Sequence, residues 1–317
     1  MGKTTFHELY QQVGTLYYAK AYTQAFDLVE HEQAAFPEHA NEIAYWRLCF
    51  HTLVGKQAEA LHIFDETLEQ GGWFAPGLLE HDADLADLRP LPAFQEMVAV
   101  CRHRLAQIKD HVQPELLIKK PAEEQATALP LLIALHGNEG NARNTIGEWS
   151  GIAAQGWLLG VATSSQIVGP NEFIWDERER GISEVRAHLA KLASDYTVDL
   201  ERVVLGGFSM GGGLAIWMAL KQSIKTCGFI ALGAYLTEEE LEVLSGLLAQ
   251  RKPQGLRGSL LVGKEDTVHL NVSHRVVEMM HAHDLPCELE ILPGFTHVYP
   301  ANFLERVVKA LAFIEQA

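Results

Sequence analysis

Gly207-Phe208-Ser209-Met210-Gly211 stands between an apolar strand-like run, Val203-Val204-Leu205, and a helix-like run over 214–220. A glycine two residues either side of a serine is what a sharp strand-to-helix turn requires, because side chains at those positions would collide with neighbouring segments. Such a turn strains the serine backbone, lifts its hydroxyl out of the sheet edge and sets it at the positive end of the following helix. With 10 Ser and 26 Gly in the chain, chance would supply this spacing about 0.07 times. The stretch reads as a nucleophile elbow carrying Ser209.

Outward from the elbow, apolar runs alternate with helical stretches. Residues 114–119 and 129–135 read as strands joined by a polar loop at 121–127, an antiparallel opening pair. Further strands are expected at 157–162, 202–205, 227–232, 259–262 and 287–292. Helices are expected at 182–194, 212–220, 238–250 (N-cap Thr237), 273–283 and 302–315. Strands alternating with helices imply a mostly parallel sheet covered on both faces. That is the order of an α/β hydrolase.

A serine hydroxyl is a weak nucleophile and needs a base, which in turn needs an orienting acid. In this arrangement the partners follow later strands, in the order Ser, acid, His. After 259–262 comes Gly263-Lys264-Glu265-Asp266-Thr267-Val268, which offers two carboxylates, Glu265 and Asp266. After the last strand comes Pro293-Gly294-Phe295-Thr296-His297. Among 15 histidines, His297 lies in a glycine-containing loop after the terminal strand, whereas His274, His281 and His283 fall in a helix. Upstream, the apolar 132–135 run leads into His136-Gly137-Asn138-Glu139-Gly140, the arrangement that presents a backbone N–H to an oxyanion. The second such donor is the N–H of Met210, the residue after the nucleophile. Trp175, in Phe173-Ile174-Trp175-Asp176, lies in an insertion able to reach the pocket and is a candidate for lining it.

Leu135-His136-Gly137, the run from Val198 through Gly207-Phe208-Ser209-Met210-Gly211-Gly212, Gly263-Lys264-Glu265-Asp266 and Gly294-Phe295-Thr296-His297 together resemble the phospholipase/carboxylesterase family of α/β hydrolases, over roughly 114–316. The resemblance implies hydrolysis of carboxylic esters and some thioesters without metal or cofactor. It implies Ser209 as nucleophile, Asp266 as acid, His297 as base, and Asn138 and Met210 as the oxyanion N–H donors. Met210 stands where the family often has Gln, and Asp266-Thr267-Val268-His269 departs from the family's usual proline-bearing acid loop.

Residues 6–106 differ in texture, with helical periodicity almost throughout. At an offset of 35, Tyr10 aligns with Tyr45, Ala25 with Ala60, Leu28 with Ile63 and Val29 with Phe64. This resembles tetratricopeptide repeats, whose period is similar. The expected organisation is a helical, tetratricopeptide-like domain at 1–110 and an α/β-hydrolase catalytic domain at 111–317. Two repeats bury little core, so the first domain is expected to lean on a neighbour, a subunit or a protein partner.

Net charge is −16. Residues 1–112 hold 8 basic and 16 acidic side chains, and 113–317 hold 17 and 25, so each part carries −8. This argues against nucleic acid or an anionic membrane as partner, since both reward clustered Lys and Arg. Cys49, Cys101, Cys227 and Cys287 stand singly, as buried thiols of a reducing compartment do. The start, Met1-Gly2-Lys3-Thr4-Thr5-Phe6, has no apolar signal core and reads as a disordered tail, and no apolar run reaches 18 residues. A cytoplasmic enzyme acting on a small-molecule ester is expected.

Overall fold

The structure, a computed structural model, describes residues 5–122 and 127–316. The first four residues, read above as a disordered tail, and most of the 121–127 loop lie outside the described residues. The chain divides into two compact units. The first runs to His111 and takes in Ile167–Pro170; the second comprises Val112–Gln166 and Asn171–Ala317.

The first unit consists of helices α1 (Phe6–Tyr18), α2 (Tyr22–Glu32), α3 (Ala40–Leu53), α4 (Gln57–Glu69), α5 (Pro76–His81) and α6 (Pro92–Ile108). Thr5 caps α1 in a reciprocal capping box with Glu8, which satisfies two otherwise orphaned N–H groups. Two apolar clusters form its core, one around Leu9, Ala25, Val29 and Phe50 and the other around Leu48, Ala60, Phe64, Phe74 and Phe94. The aligned pairs Ala25 and Ala60, and Val29 and Phe64, are all fully buried, whereas Tyr10 is half exposed.

The second unit is a seven-stranded sheet with helices on both faces. Its strands are β1 (Glu115–Lys119), β2 (Leu129–Leu135), β3 (Leu158–Thr163), β6 (Val198–Phe208), β7 (Gly228–Leu232), β8 (Arg257–Gly263) and β9 (Cys287–Leu292), in the spatial order β1-β3-β2-β6-β7-β8-β9. Two short strands, β4 (Ile167–Gly169, in the first unit) and β5 (Glu172–Phe173), lie outside this sheet. All neighbours in the large sheet are parallel except β1, which runs antiparallel to β3. The antiparallel strand therefore does not pair with β2, as the sequence suggests. β2 is buried on both faces over almost its whole length, while β1 is only half-buried; continuous apolar strands take the sheet interior and leave the half-polar one to an edge.

Six helices surround the sheet: α7 (Ala142–Trp149), α8 (Arg178–Asp195), α9 (Met210–Leu220), α10 (Glu238–Gln250), α11 (Thr267–Ala282) and α12 (Phe303–Ile314). Successive strand residues face opposite sides. Leu131, Ile133 and Leu135 pack with α8 to α11, while Leu132 and Ala134 pack with α7 and α12. Each fully buried Leu or Ile contributes about 1.5–3 kcal/mol of apolar transfer. Two helices depart from the sequence reading. α7 was not foreseen, although Asn141 caps it in a box with Asn144. α11 begins at Thr267 rather than 273, because Asp266 serves as its N-cap and accepts from the His269 N–H. Among the described residues no helix is long and apolar enough to cross a membrane.

Candidate active site

The parallel strands β2, β6, β8 and β9 end on one side of the sheet, and the segments that directly follow them, loops and the first residue of α9, carry every site residue named from the sequence except Trp175. Ser209 follows β6, in the middle of the sheet, with φ +53° and ψ −118°. This left-handed backbone, rare for a residue with a Cβ, is held by three main-chain bonds. Ser209 N–H donates to Leu232 O, and Ser209 O accepts from the N–H groups of Gly213 and Tyr235, all at 2.9 Å. The flanking glycines leave no alternative. A Cβ on Gly207 would overlap the Gly211 backbone, and one on Gly211 would overlap the carbonyls of Leu135 and His136. The elbow is wedged directly against the end of β2.

That contact brings the loop after β2 to Ser209. A Cβ on Gly137 would stand 2.8 Å from the Phe208 ring and 3.4 Å from Ser209 Cβ. The loop is a tight turn: Gly140 N–H donates to Gly137 O at 3.1 Å, and Gly140 O accepts from Phe173 N–H at 3.2 Å. His136 is completely buried. Its Nε2 accepts from Ser164 N–H at 3.2 Å, which leaves Nδ1 as the donor to Gly137 O at 2.7 Å. Burial pushes its pKa down to about 4, so it serves as a neutral strut. Trp175, placed at the pocket by the sequence, is also completely buried. Its indole N–H donates to His136 O at 3.0 Å and its ring stacks on His136 at 4.8 Å. It braces the loop from behind rather than lining an open cavity, a role set by a contact 39 residues away that local sequence does not reveal. Asn138 is exposed at the tip of the turn, and Met210 is buried at the first position of α9.

The loops after β8 and β9 meet. His297 Nδ1 bonds Asp266 Oδ2 at 2.7 Å, while Glu265 is exposed and accepts from Gly294 N–H at 3.2 Å. The His297 ring stacks on Phe208, the residue before Ser209, at 4.5 Å. Tyr299 supports this loop by packing on Phe208 at 4.8 Å and accepting from the Trp149 indole at 3.2 Å. Burial works to raise Asp266, but hydrogen bonds from His269 and His297 outweigh it and hold the carboxyl below its ordinary range. Burial, and then the neighbouring His269, push His297 below the ordinary imidazole value despite the attraction of Asp266. A neutral imidazole with an ionised carboxylate on its Nδ1 side is the state in which Nε2 accepts a proton.

Two residues with no part in the sequence reading also shape the site. His269 Nδ1 bonds the other oxygen of Asp266 at 2.7 Å. Arg178, at the start of α8, reaches Met210 O at 3.3 Å and Tyr235 O at 3.4 Å while paired with Glu240 at 2.6 Å; it ties the first turn of α9 to the loop after β7.

Asp266, His269 and His297 each offer a ligand atom within 4.8 Å of the others, as do Cys49, Asp82 and Asp84 in the helical unit. A metal needs deprotonated ligands. In the first set both Nδ1 atoms face carboxylate oxygens as proton donors, and in the second burial raises the Cys49 thiol well above its ordinary value.

With this geometry in view, the comparisons are informative. Residues 169–315 match the family model described as Phospholipase/Carboxylesterase, and residues 5–109 match one described as an A/B hydrolase-like N-terminal domain. That first match takes in most of the sheet-bearing unit, with Ser209, Asp266 and His297 inside it. The chain is therefore a hydrolase with an α/β-hydrolase fold and a helical unit ahead of it. An uncharacterized protein from Bacillus cereus is similar over both units, at 24% identity, 98% of this chain, 99% of that one and TM-score 0.56. Esterase PE8 (18%, 65% and 99%, TM-score 0.53) and Zea mays acyl-protein thioesterase 2 (17%, 63% and 98%, TM-score 0.51) are similar over about two thirds of the chain. At these identities the likeness is one of fold. No curated protein sequence matches the chain.

Proposed function

We propose that this hydrolase is a serine carboxylesterase that cleaves small carboxylic esters through an acyl-enzyme. Ser209 Oγ attacks the ester carbonyl while His297 Nε2 takes its proton. The backbone N–H groups of Asn138 and Met210 receive the negative charge on the carbonyl oxygen. His297 then protonates the departing alkoxide, which leaves as the alcohol. Water, deprotonated by His297, attacks the acyl-enzyme and releases the carboxylic acid and free Ser209. Asp266 stabilises the imidazolium in both halves without taking the proton. Each N–H donor aimed at the oxyanion is worth about 3 kcal/mol of barrier.

The observation that carries this reading is the Asp266–His297 bond at 2.7 Å, set beside a strained serine whose neighbour Phe208 supports the imidazole. The test is turnover of p-nitrophenyl esters by wild type and Ser209→Ala across acyl lengths, with matched oxygen and sulfur esters run in parallel. Turnover that survives Ser209→Ala contradicts the assignment. Faster sulfur-ester hydrolysis would make the enzyme an acyl-thioesterase.

For the helical unit we retain the repeat reading. α1 and α3 begin 34 residues apart and α2 and α4 begin 35 apart, with Ala25 and Ala60 equally buried. Self-association or a protein partner is the role we assign to it, and a reducing, cytoplasmic setting is our reading of the isolated thiols.

A further inference from the structure

Asp266 carries two imidazoles, of which the reaction above uses one. His297 Nδ1 donates to Oδ2 and His269 Nδ1 to Oδ1, each at 2.7 Å. The two rings lie face to face, with centroids 4.0 Å apart and planes 15° from parallel. His269 enters from the first turn of α11, three residues after Asp266, a spacing that puts both side chains on one helix face. Ser273 Oγ fixes that turn by donating to His269 O at 2.8 Å.

We propose that His269 is a positioning residue for the catalytic base: it occupies the second oxygen of Asp266 and backs the ring of His297. The proposal rests on the Ser209–His297–Asp266 assignment. With its second oxygen held only by the long N-cap bond from the His269 N–H, at 3.5 Å, the carboxylate can turn about its Cβ–Cγ bond and carry the imidazole with it. Bound through both oxygens to donors on two different elements, it is fixed, and Nε2 of His297 keeps its aim at the nucleophile. The stack also sets the acid limit of activity. Titratable groups facing His269 are Asp266 at the N-cap, His297 from the loop after β9 and Tyr235 from the loop after β7, the last with its ring 6.2 Å away. His269 lies against His297 on the same carboxylate and works to keep a proton off it.

The full-length protein with His269→Ala or His269→Asn separates positioning from bulk stability. Asparagine places an amide N–H where Nδ1 stood and does not titrate. The alanine variant should lose about ten- to a hundredfold in kcat, the weight of one hydrogen bond to a charged group, with KM little changed. The asparagine variant should recover most of that loss. Its acid limb of kcat/KM should move to higher pH, because the opposition of His269 to a proton on His297 is removed. Wild-type kcat in His269→Ala, an asparagine variant no better than alanine, or an unmoved acid limb would each overturn the role of His269. Ser209→Ala assayed alongside keeps the underlying reading separate: if it retains turnover, the triad fails, whereas indifference to His269 with a dead Ser209→Ala removes only this proposal.

Discussion

A residue with a Cβ held at φ +53° costs about 1–3 kcal/mol, and at Ser209 three main-chain hydrogen bonds and two glycines pin it there. Gly211→Ala should therefore abolish esterase activity and lower the melting temperature, since the new Cβ meets backbone carbonyls that cannot step aside. Thermal unfolding alongside p-nitrophenyl ester assays reads both effects. Of the two carboxylates the acid loop offers, Asp266→Asn should remove several orders of magnitude of turnover by favouring the wrong imidazole tautomer, while exposed Glu265→Gln should change little. A reversal in kinetics of the two variants would shift the acid by one residue. The depressed His297 fixes a pH dependence. A general base works unprotonated, and burial with the neighbouring His269 favours that form, so kcat/KM should stay high into mildly acid solution and fall with a midpoint below about 6.5, the ordinary imidazole value. A midpoint above that value in a pH–rate profile contradicts the geometry. Ser209, Asp266 and His297 are the residues that motif spacing singles out, each just after a strand, and the structure brings the last two within 2.7 Å. His269 is readable in principle, three residues from Asp266 in a first helical turn, but periodicity alone starts that helix at 273 and leaves the pair in a loop.

At the level of elements, the sheet order follows from burial. The register of β2, β6, β7, β8 and β9 lines up the loop ends that carry the site; apolar runs announce the first four, and β9 reads as Cys287-Glu288-Leu289-Glu290-Ile291-Leu292, apolar residues broken by two glutamates. β1 was misplaced beside β2 because adjacency in sequence suggests a hairpin, whereas only the burial of β2 on both faces shows that both its edges are taken. Trp175 was misread for a similar reason: its partner His136 is reached through the fold. His136 now predicts a feature of stability. Its pKa is about 4 when folded against about 6.5 unfolded, so between those values the unfolded chain binds the extra proton. Stability is then full above pH 6.5 and falls as pH drops toward 4, by about 3 kcal/mol for a fully buried group. Urea unfolding of wild type and His136→Asn at pH 7 and pH 5 checks this. The variant should lose less between the two pH values than wild type, and equal losses would show that His136 does not set the slope.

Across the whole molecule, the division into two units exceeds what repeat counting gave. The expectation that two repeats bury little core leaves out of account α5 and the last helix, α6, with the segment between them, which add Leu79, Leu85, Leu88, Phe94 and Val98 to one apolar cluster. Residues 1–111 should therefore unfold cooperatively on their own when followed by circular dichroism, and a featureless thermal transition would restore the earlier expectation. Ser209, Asp266, His297 and the loops that bear them all come from the second unit, so the chemistry is assigned there alone. The most direct test of that assignment is reaction of the full-length protein with a fluorophosphonate, followed by mass spectrometry of the digested adduct. The account predicts one stoichiometric adduct on the peptide carrying Gly207-Phe208-Ser209-Met210-Gly211, absent from Ser209→Ala and slowed in His297→Ala. An adduct on any other residue, or undiminished labelling of Ser209→Ala, would contradict it.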